Sequence, residues 1–288
     1  MFRTILVPAP GGTTHDAVFR TALAMARRAA GHLQFLHVRL DIQTMLVAMS
    51  TGDYGGGAGI GDVLDSLQRD IDARHDRARK DVLAFCDREH LALADSPLAG
   101  APSAAFRVET GDEARLLAAR ARTTDLTVLG RAADGEAVTL DLLEAVLLYG
   151  GRPLLIAPAQ PPEPIGRRIA IAWKDTPEAA RAVAAATPLL AGAEAVSVFA
   201  VQEAAGQDSG SAARLSHALQ WHNAATTLHV IPPAGTDPAE VLLASAAGMR
   251  ADLLVMGGYS HSRMREAVLG GVTRHVLRAA PLPVLMAH

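Results

Sequence analysis

Glycines, hydroxyls and arginines gather in residues 252–288 (DLLVMGGYSHSRMREAVLGGVTRHVLRAAPLPVLMAH) in an order suited to holding a phosphate. An apolar run ends at Gly257, a polar loop carries Ser260, His261, Ser262, Arg263 and Arg265, and Gly270-Gly271 opens a helical pattern from Val272 to Ala279. A helix N-terminus presents unpaired N–H groups and the positive end of a dipole, and glycine there lets an oxyanion approach the backbone. Thr273 can add a hydroxyl, Ser260 and Ser262 lie in the loop that would fold over the oxygens, and the arginines can offset charge. The same spacing also describes a plain glycine turn joining strand to helix, and that reading stays open.

Other chemistries fare worse. His261 sits between two serines, but there is no Gly-x-Ser-x-Gly elbow and no orienting acid to complete a nucleophilic triad. His15 with Asp16, and His217 with His222, do not recur at metal-ligand spacing. The run Gly52 to Gly61 (GDYGGGAGIG) lacks the i, i+2, i+5 glycines of a dinucleotide loop and follows no apolar strand, so it reads as a lid or linker. Thr44 to Met49 (TMLVAM) reads as core, with an adaptable methionine surface as the alternative. Cys86 is the single cysteine and has no intrachain partner, which excludes a disulfide framework and a thiolate zinc site. Trp173 ends a strand and could stack on a base or simply pack.

The elements that must position these residues follow from composition and pattern. The chain has 288 residues, enough for about two ordinary domains, and half of them are hydrophobic but only 4% aromatic, which suits helices on a sheet. No apolar run reaches the roughly 18 residues of a membrane helix, and Arg3 leads straight into a strand instead of a signal segment, so a cytoplasmic location is expected. A net charge of −3 without blocks of like charge offers no footprint for nucleic acid.

Short apolar runs alternate with helical patterns from the start, which implies parallel sheet. The first series runs Thr4–Pro8, Asp16–Ala30, Leu33–Val38, Asp62–Glu89, Ala105–Glu109, Asp112–Arg122, Leu126–Leu129, Ala137–Leu147 and Pro153–Ala157, giving five strands. Residues 158–166 (PAQPPEPIG) hold four prolines in nine positions and read as an extended spacer. The pattern then restarts, with strands at Arg168–Trp173, Ala195–Val201, Thr227–Ile231, Leu253–Met256 and Val284–Ala287. Internal echoes, such as Asp125 to Gly130 (DLTVLG) against Asp252 to Gly257 (DLLVMG), identify a duplication. The expected domains are 1–158, a linker at 159–166, and 167–288.

On these residues the chain resembles a tandem universal stress protein. ATP-binding members of that family carry Gly, two residues, Gly, nine residues, Gly, then Ser or Thr after the fourth strand. Gly257, Ser260, Gly270 and Gly271 occupy those positions with the spacing intact, two of the four by identity, and Arg274 to Leu285 (RHVLRAAPLPVL) is similar to the family's closing helix and strand. The resemblance implies an α/β fold of two doubly wound parallel-sheet domains with five strands each, adenine nucleotide alpha hydrolase-like. The domains would form an intramolecular pseudo-dimer in which Leu154–Ala157 pairs with Val284–Ala287. It also implies ATP with Mg2+ as ligand, with Gly257 to Ser262 and Gly270, Gly271, Val272 and Thr273 near phosphate. Ala172, Trp173, Lys174, Thr176 and Val201 would lie around the nucleoside.

Where such members place an Asp after the first strand, this chain has Pro10-Gly11-Gly12 in one copy and Lys174-Asp175-Thr176 in the other. Loss of the carboxylate removes an acceptor, and Gly271 removes a hydroxyl. The first copy also lacks the second glycine pair and reads as scaffold. The leading expectation is a non-catalytic stress-response factor binding nucleotide in its C-terminal half. The alternatives are an adaptor acting through Asp41–Asp76, with protein partners or a further homodimer, and a weak ATP hydrolase. Neither nucleic acid nor membrane is an expected partner.

Overall fold

The computed structural model describes residues 1–12, 16–42, 60–96, 98, 100–131, 138–202, 210–232, 237–258 and 271–288. The first half runs β1 (Thr4–Pro8), α1 (Asp16–Arg27), β2 (His32–Arg39), α2 (Ile60–Arg88), β3 (Ala92–Leu93), β4 (Ser103–Thr110), α3 (Glu113–Ala121), β5 (Leu126–Gly130), α4 (Leu140–Tyr149) and β6 (Leu154–Ala157). The second runs β7 (Arg168–Ala172), α5 (Pro177–Leu190), β8 (Ala195–Val201), α6 (Gly210–Gln220), β9 (Thr226–Ile231), α7 (Pro238–Gly248), β10 (Leu253–Gly257), α8 (Gly271–Ala279) and β11 (Val284–Ala287).

All eleven strands form one sheet, in the order β3-β4-β2-β1-β5-β6-β11-β10-β7-β8-β9. Pairing is parallel within each half and antiparallel only at the centre, where Val284 faces Ile156, Leu285 faces Leu155 and Met286 faces Leu154. The expected pairing of the two closing strands is therefore present, and it makes the halves a pseudo-symmetric pair. The count of five strands each needs correction: β3 adds a sixth to the first half, paired to β4 over two residues. So short an edge strand leaves no periodic signal in the sequence.

Helices cover both faces, as doubly wound sheets require. One core holds α1, α2, α5 and α6 against the sheet, with Phe19, Phe35, Phe85, Ala182 and Leu190 buried. The other holds α3, α4, α7 and α8, with Leu117, Leu143, Leu242 and Val276 buried. The central strands are apolar on both sides, so they read as continuous runs in the sequence.

The sequence echo between Asp125 and Asp252 has a structural cause. Asp125 accepts from the backbone N–H groups of Arg3 and Thr4, and Asp252 from those of Gly166, Arg167 and Arg168. In each half a carboxylate before the fourth long strand closes the backbone donors at the start of the first. The proline-rich segment is likewise no bare spacer. Arg28 of α1 donates to the Ile165 carbonyl at 2.9 Å, Arg20 pairs with Glu163, and the Ile165 side chain is buried in the first core.

Cys86 lies on the buried side of α2, and burial pushes its thiol up to about 11. Since the thiolate is the nucleophile, the folded protein should resist iodoacetamide near neutral pH and react once denatured. Intact-mass spectrometry of the native protein checks this; rapid alkylation without unfolding would contradict the buried placement.

Candidate functional site

A doubly wound sheet opens at the point where successive connections leave to opposite faces. In the second half that point lies between β7 and β10, which pair in parallel with Ala172 opposite Met256. β7 leads into α5 on the first face, and β10 is followed in sequence by α8 on the second. Ala172, Trp173, Gly257 and Gly258 therefore meet at one end of the sheet. Val201 ends β8, the next strand out.

Each residue there has local work that limits what a ligand could use. The Trp173 indole donates from Nε1 to the Ser211 hydroxyl at 3.2 Å, and its ring packs on the first core. Thr176, expected near a nucleoside, is the N-cap of α5: its hydroxyl accepts from the Ala179 N–H, and Pro177 follows at the first helical position. Lys174 is exposed, and its carbonyl accepts from the Thr176 N–H.

Gly257 is glycine because of α5 as well as any ligand. A Cβ there would stand 2.5 Å from the Ala179 nitrogen and 2.8 Å from the Glu178 carbonyl carbon, so the end of β10 lies against the first turn of α5. Gly258 meets the other half: its Cβ would lie 2.7 Å from the Leu147 side chain. The Gly258 carbonyl accepts from His288 Nδ1.

At the second face, α8 begins with exposed Gly271, half-buried Val272 and buried Thr273. Among the described residues no atom lies within 4 Å of the place where a Gly271 Cβ would sit. Sequence reasoning missed a pair beside this start. His275 of α8 reaches Asp237 at 3.2 Å, and Asp237 caps α7 by accepting from the Ala239 N–H. The Asp237-Pro238 cap was readable from residue types; the approach of His275 was not. Ser260, His261, Ser262, Arg263 and Gly270 lie outside the described residues. Among the described residues no three His, Cys, Asp or Glu side chains converge on a point where a metal could sit.

The equivalent place in the first half is built differently. Pro8, Pro10, Val18, Glu113, Gly130, Val138 and Leu142 enclose a cavity with room for little more than one water molecule. Glu113 is the one ionisable group among the described residues of that lining, and burial, then the neighbouring Asp112, push its carboxyl up against an opposing pull from Arg74. The loop after β1 is pinned beneath α2. Gly11 adopts φ 69°, its carbonyl accepts from Arg77 Nε at 3.0 Å, and a Cβ on it would meet the Arg74 carbonyl oxygen at 2.1 Å. The start of α4 is closed by its own residue, since the Thr139 hydroxyl accepts from the Leu142 N–H.

Comparison with known proteins now fits onto this geometry. Residues 166–288 match the model of the universal stress protein family. The C-terminal half is thus similar in sequence to that family. In overall fold the chain is similar to a universal stress protein from Archaeoglobus fulgidus DSM 4304, with a TM-score of 0.66 at 15% identity, over 99% of this chain and 97% of that one. It is also similar to a putative universal stress protein from Pseudomonas aeruginosa UCBPP-PA14, with a TM-score of 0.58 at 17% identity, over 99% and 92%. At these identities the likeness concerns the fold. Among curated proteins none matches the sequence. No described helix of the chain is long and apolar enough to cross a membrane. The matched segment ends in β11, so its last strand is also the strand that joins the other half.

Proposed function

We propose that this protein is a regulatory stress-response factor whose C-terminal domain binds an adenine nucleotide at the β7/β10 opening, in a cytoplasmic setting. The observation that carries this reading is the contrast between the two corresponding helix starts. In the first half Thr139 closes the N-terminus of α4 with its own hydroxyl. In the second, glycine precedes α8 in sequence, Gly271 meets no neighbour within 4 Å among the described residues, and Thr273 follows in the first turn. A helix start whose glycines supply no side-chain acceptor keeps its donors for an anion. The backbone N–H groups of Gly271, Val272 and Thr273 would hold the phosphates, with Ala172, Trp173 and Val201 toward the nucleoside. Magnesium would travel with the phosphates. The role proposed is one of binding.

A second reading, an adaptor without nucleotide, draws on different facts. Thr176 is spent on capping α5, Trp173 is anchored to Ser211, and Lys174 precedes the first carboxylate after β7, the exposed Asp175. Calorimetric titration with ATP and Mg2+ separates the two. Saturable binding that Gly271→Asp weakens at least tenfold, about 1.4 kcal/mol, is the expected result. Absence of heat at millimolar ATP overturns the nucleotide reading in favour of the adaptor.

A further inference from the structure

Outside the candidate site, the least explained group in the molecule is a pair of histidines under α2. His37 of β2 is 2% exposed, and its Nδ1 donates to the Ala9 carbonyl at 2.7 Å. That bond fixes the neutral tautomer and leaves a lone pair on Nε2, which is buried and has no hydrogen-bond partner among the described residues. The His75 ring of α2 stands 5.4 Å away between centroids, and its Nδ1 is also buried without a partner among the described residues. Phe106 of β4 stacks on His37 at 6.4 Å, so the third side of the pair is apolar.

The surroundings decide what such a pair can do. Two imidazoles could share a metal ion, but Arg39 of β2 and Arg74 of α2 both act on His37 with positive charge, which opposes a bound cation. They oppose a proton for the same reason. Desolvation first, and then His75, Arg39 and Arg74, hold His37 below its ordinary range, against the pull of the Ala9 carbonyl. The acidic groups nearby are committed elsewhere: Asp72 of α2 pairs with Arg39, while Glu113 of α3 is itself half-buried and feels Arg74. On α1, Asp16 and Arg27 pair with Arg88 and Glu89 at the far end of α2, and Arg20 pairs with Glu163.

We propose that His37 and His75 form an acid-sensitive latch that holds the first half of α2 over the loop Ala9–Gly12. A proton on either ring adds charge to a pocket already edged by Arg39 and Arg74, and on His37 it also adds an N–H with no acceptor. Relief comes from water reaching the rings, and α2 is the element that can give way. Between Gly61 and His75, Ile71 alone is buried among the described residues, whereas Ala78, Val82, Phe85 and Cys86 anchor the remainder. Opening is therefore local, with a hinge near Ala78. It uncovers the loop that Arg74, Arg77 and His37 pin at the end of β1.

The sign follows from the direction of the shift. A histidine held below its unfolded value contributes stability that is complete above the unfolded value and is lost as pH falls through it toward the folded one. Hydrogen exchange on the full chain, corrected for intrinsic rates, should show residues 61–77 losing protection on the order of tenfold between about pH 7.5 and about pH 5. Residues 78–88 and β6 should stay protected. The double variant His37→Asn with His75→Phe keeps a donor for the Ala9 carbonyl and the packing on Phe106, and should abolish the pH response. Unchanged protection in the native chain, uniform loss across the first half, or an undiminished response in the variant overturns the latch. Should the variant not fold, NMR titration of native His37 and His75 decides: neither ring gaining a proton as residues 61–77 open overturns the proposal.

Discussion

Replacing Phe35 by Ala should lower the free energy of unfolding by about 3–5 kcal/mol. Phe35 is fully buried on β2, and it meets Phe19 of α1 edge-on at 4.7 Å and 65°, and Phe85 of α2 at 6.1 Å and 73°. Phe19 and Phe85 complete the trio at 5.3 Å. Truncation removes the transfer energy of one ring and two edge-to-face pairs, each worth about 0.5–1.5 kcal/mol beyond burial. The void cannot close easily, because α1 and α2 are held apart by their own anchors on the sheet, Leu23 and Met25 on one side and Val82 on the other. Urea unfolding followed by far-ultraviolet circular dichroism measures the change. A loss below about 1 kcal/mol would mean that the three rings do not share one packed centre.

Asp252→Ala should cost about 2–4 kcal/mol, through desolvated donors left without an acceptor. Asp252 Oδ1 takes the Gly166 N–H at 2.7 Å and Oδ2 takes the Arg167 N–H at 3.0 Å, with the Arg168 N–H at 3.2 Å from both. The strand it steadies lines the candidate site. Asp252→Asn keeps one carbonyl oxygen and should lose less. Thermal unfolding of the three proteins at one pH orders them, and equal midpoints for Ala and wild type would remove the carboxylate from the account of β7.

The paired aspartates also differ in their response to acid. Burial raises Asp252 above its ordinary value despite its hydrogen bonds, whereas at Asp125 the bonds from Thr4 and Arg3 together outweigh burial and leave it lowered. Asp125 thus contributes stability that is present above the unfolded carboxylate value and lost as pH falls through the folded one. Asp252 contributes in the opposite sense, favouring the fold more in its protonated form, so the loss of stability in acid arises at Asp125.

Much of this fold was legible because its centre is apolar on both faces. Strands such as Leu154–Ala157 and Val284–Ala287 appear as short unbroken apolar runs, and the prolines at 158–164 mark where one series ends. What sequence could not tell is how a residue type is used. Thr176 had the type for a ligand contact, yet Thr176-Pro177-Glu178 is equally a helix start, and the chain uses it so. Gly257 had the type for phosphate approach, yet its missing Cβ admits the backbone of α5. Both cases turn on a helix packed across from the strand end, and spacing along one segment carries no record of that neighbour. His37 and His75 lie 38 positions apart on a strand and a helix, so their meeting depends on how α2 returns to the sheet.

The antiparallel seam between β6 and β11 has a consequence for how the two openings can change. Two identical subunits meeting this way would share every substitution, so a residue that closes one opening would close both. Here one covalent chain supplies both sides, and the tether keeps the partners at high effective concentration whatever their individual affinity. Each opening is then free to drift alone. Thr139 can cap its helix on one side while Gly271 opens the helix on the other, and the seam that unites the halves is indifferent to the asymmetry.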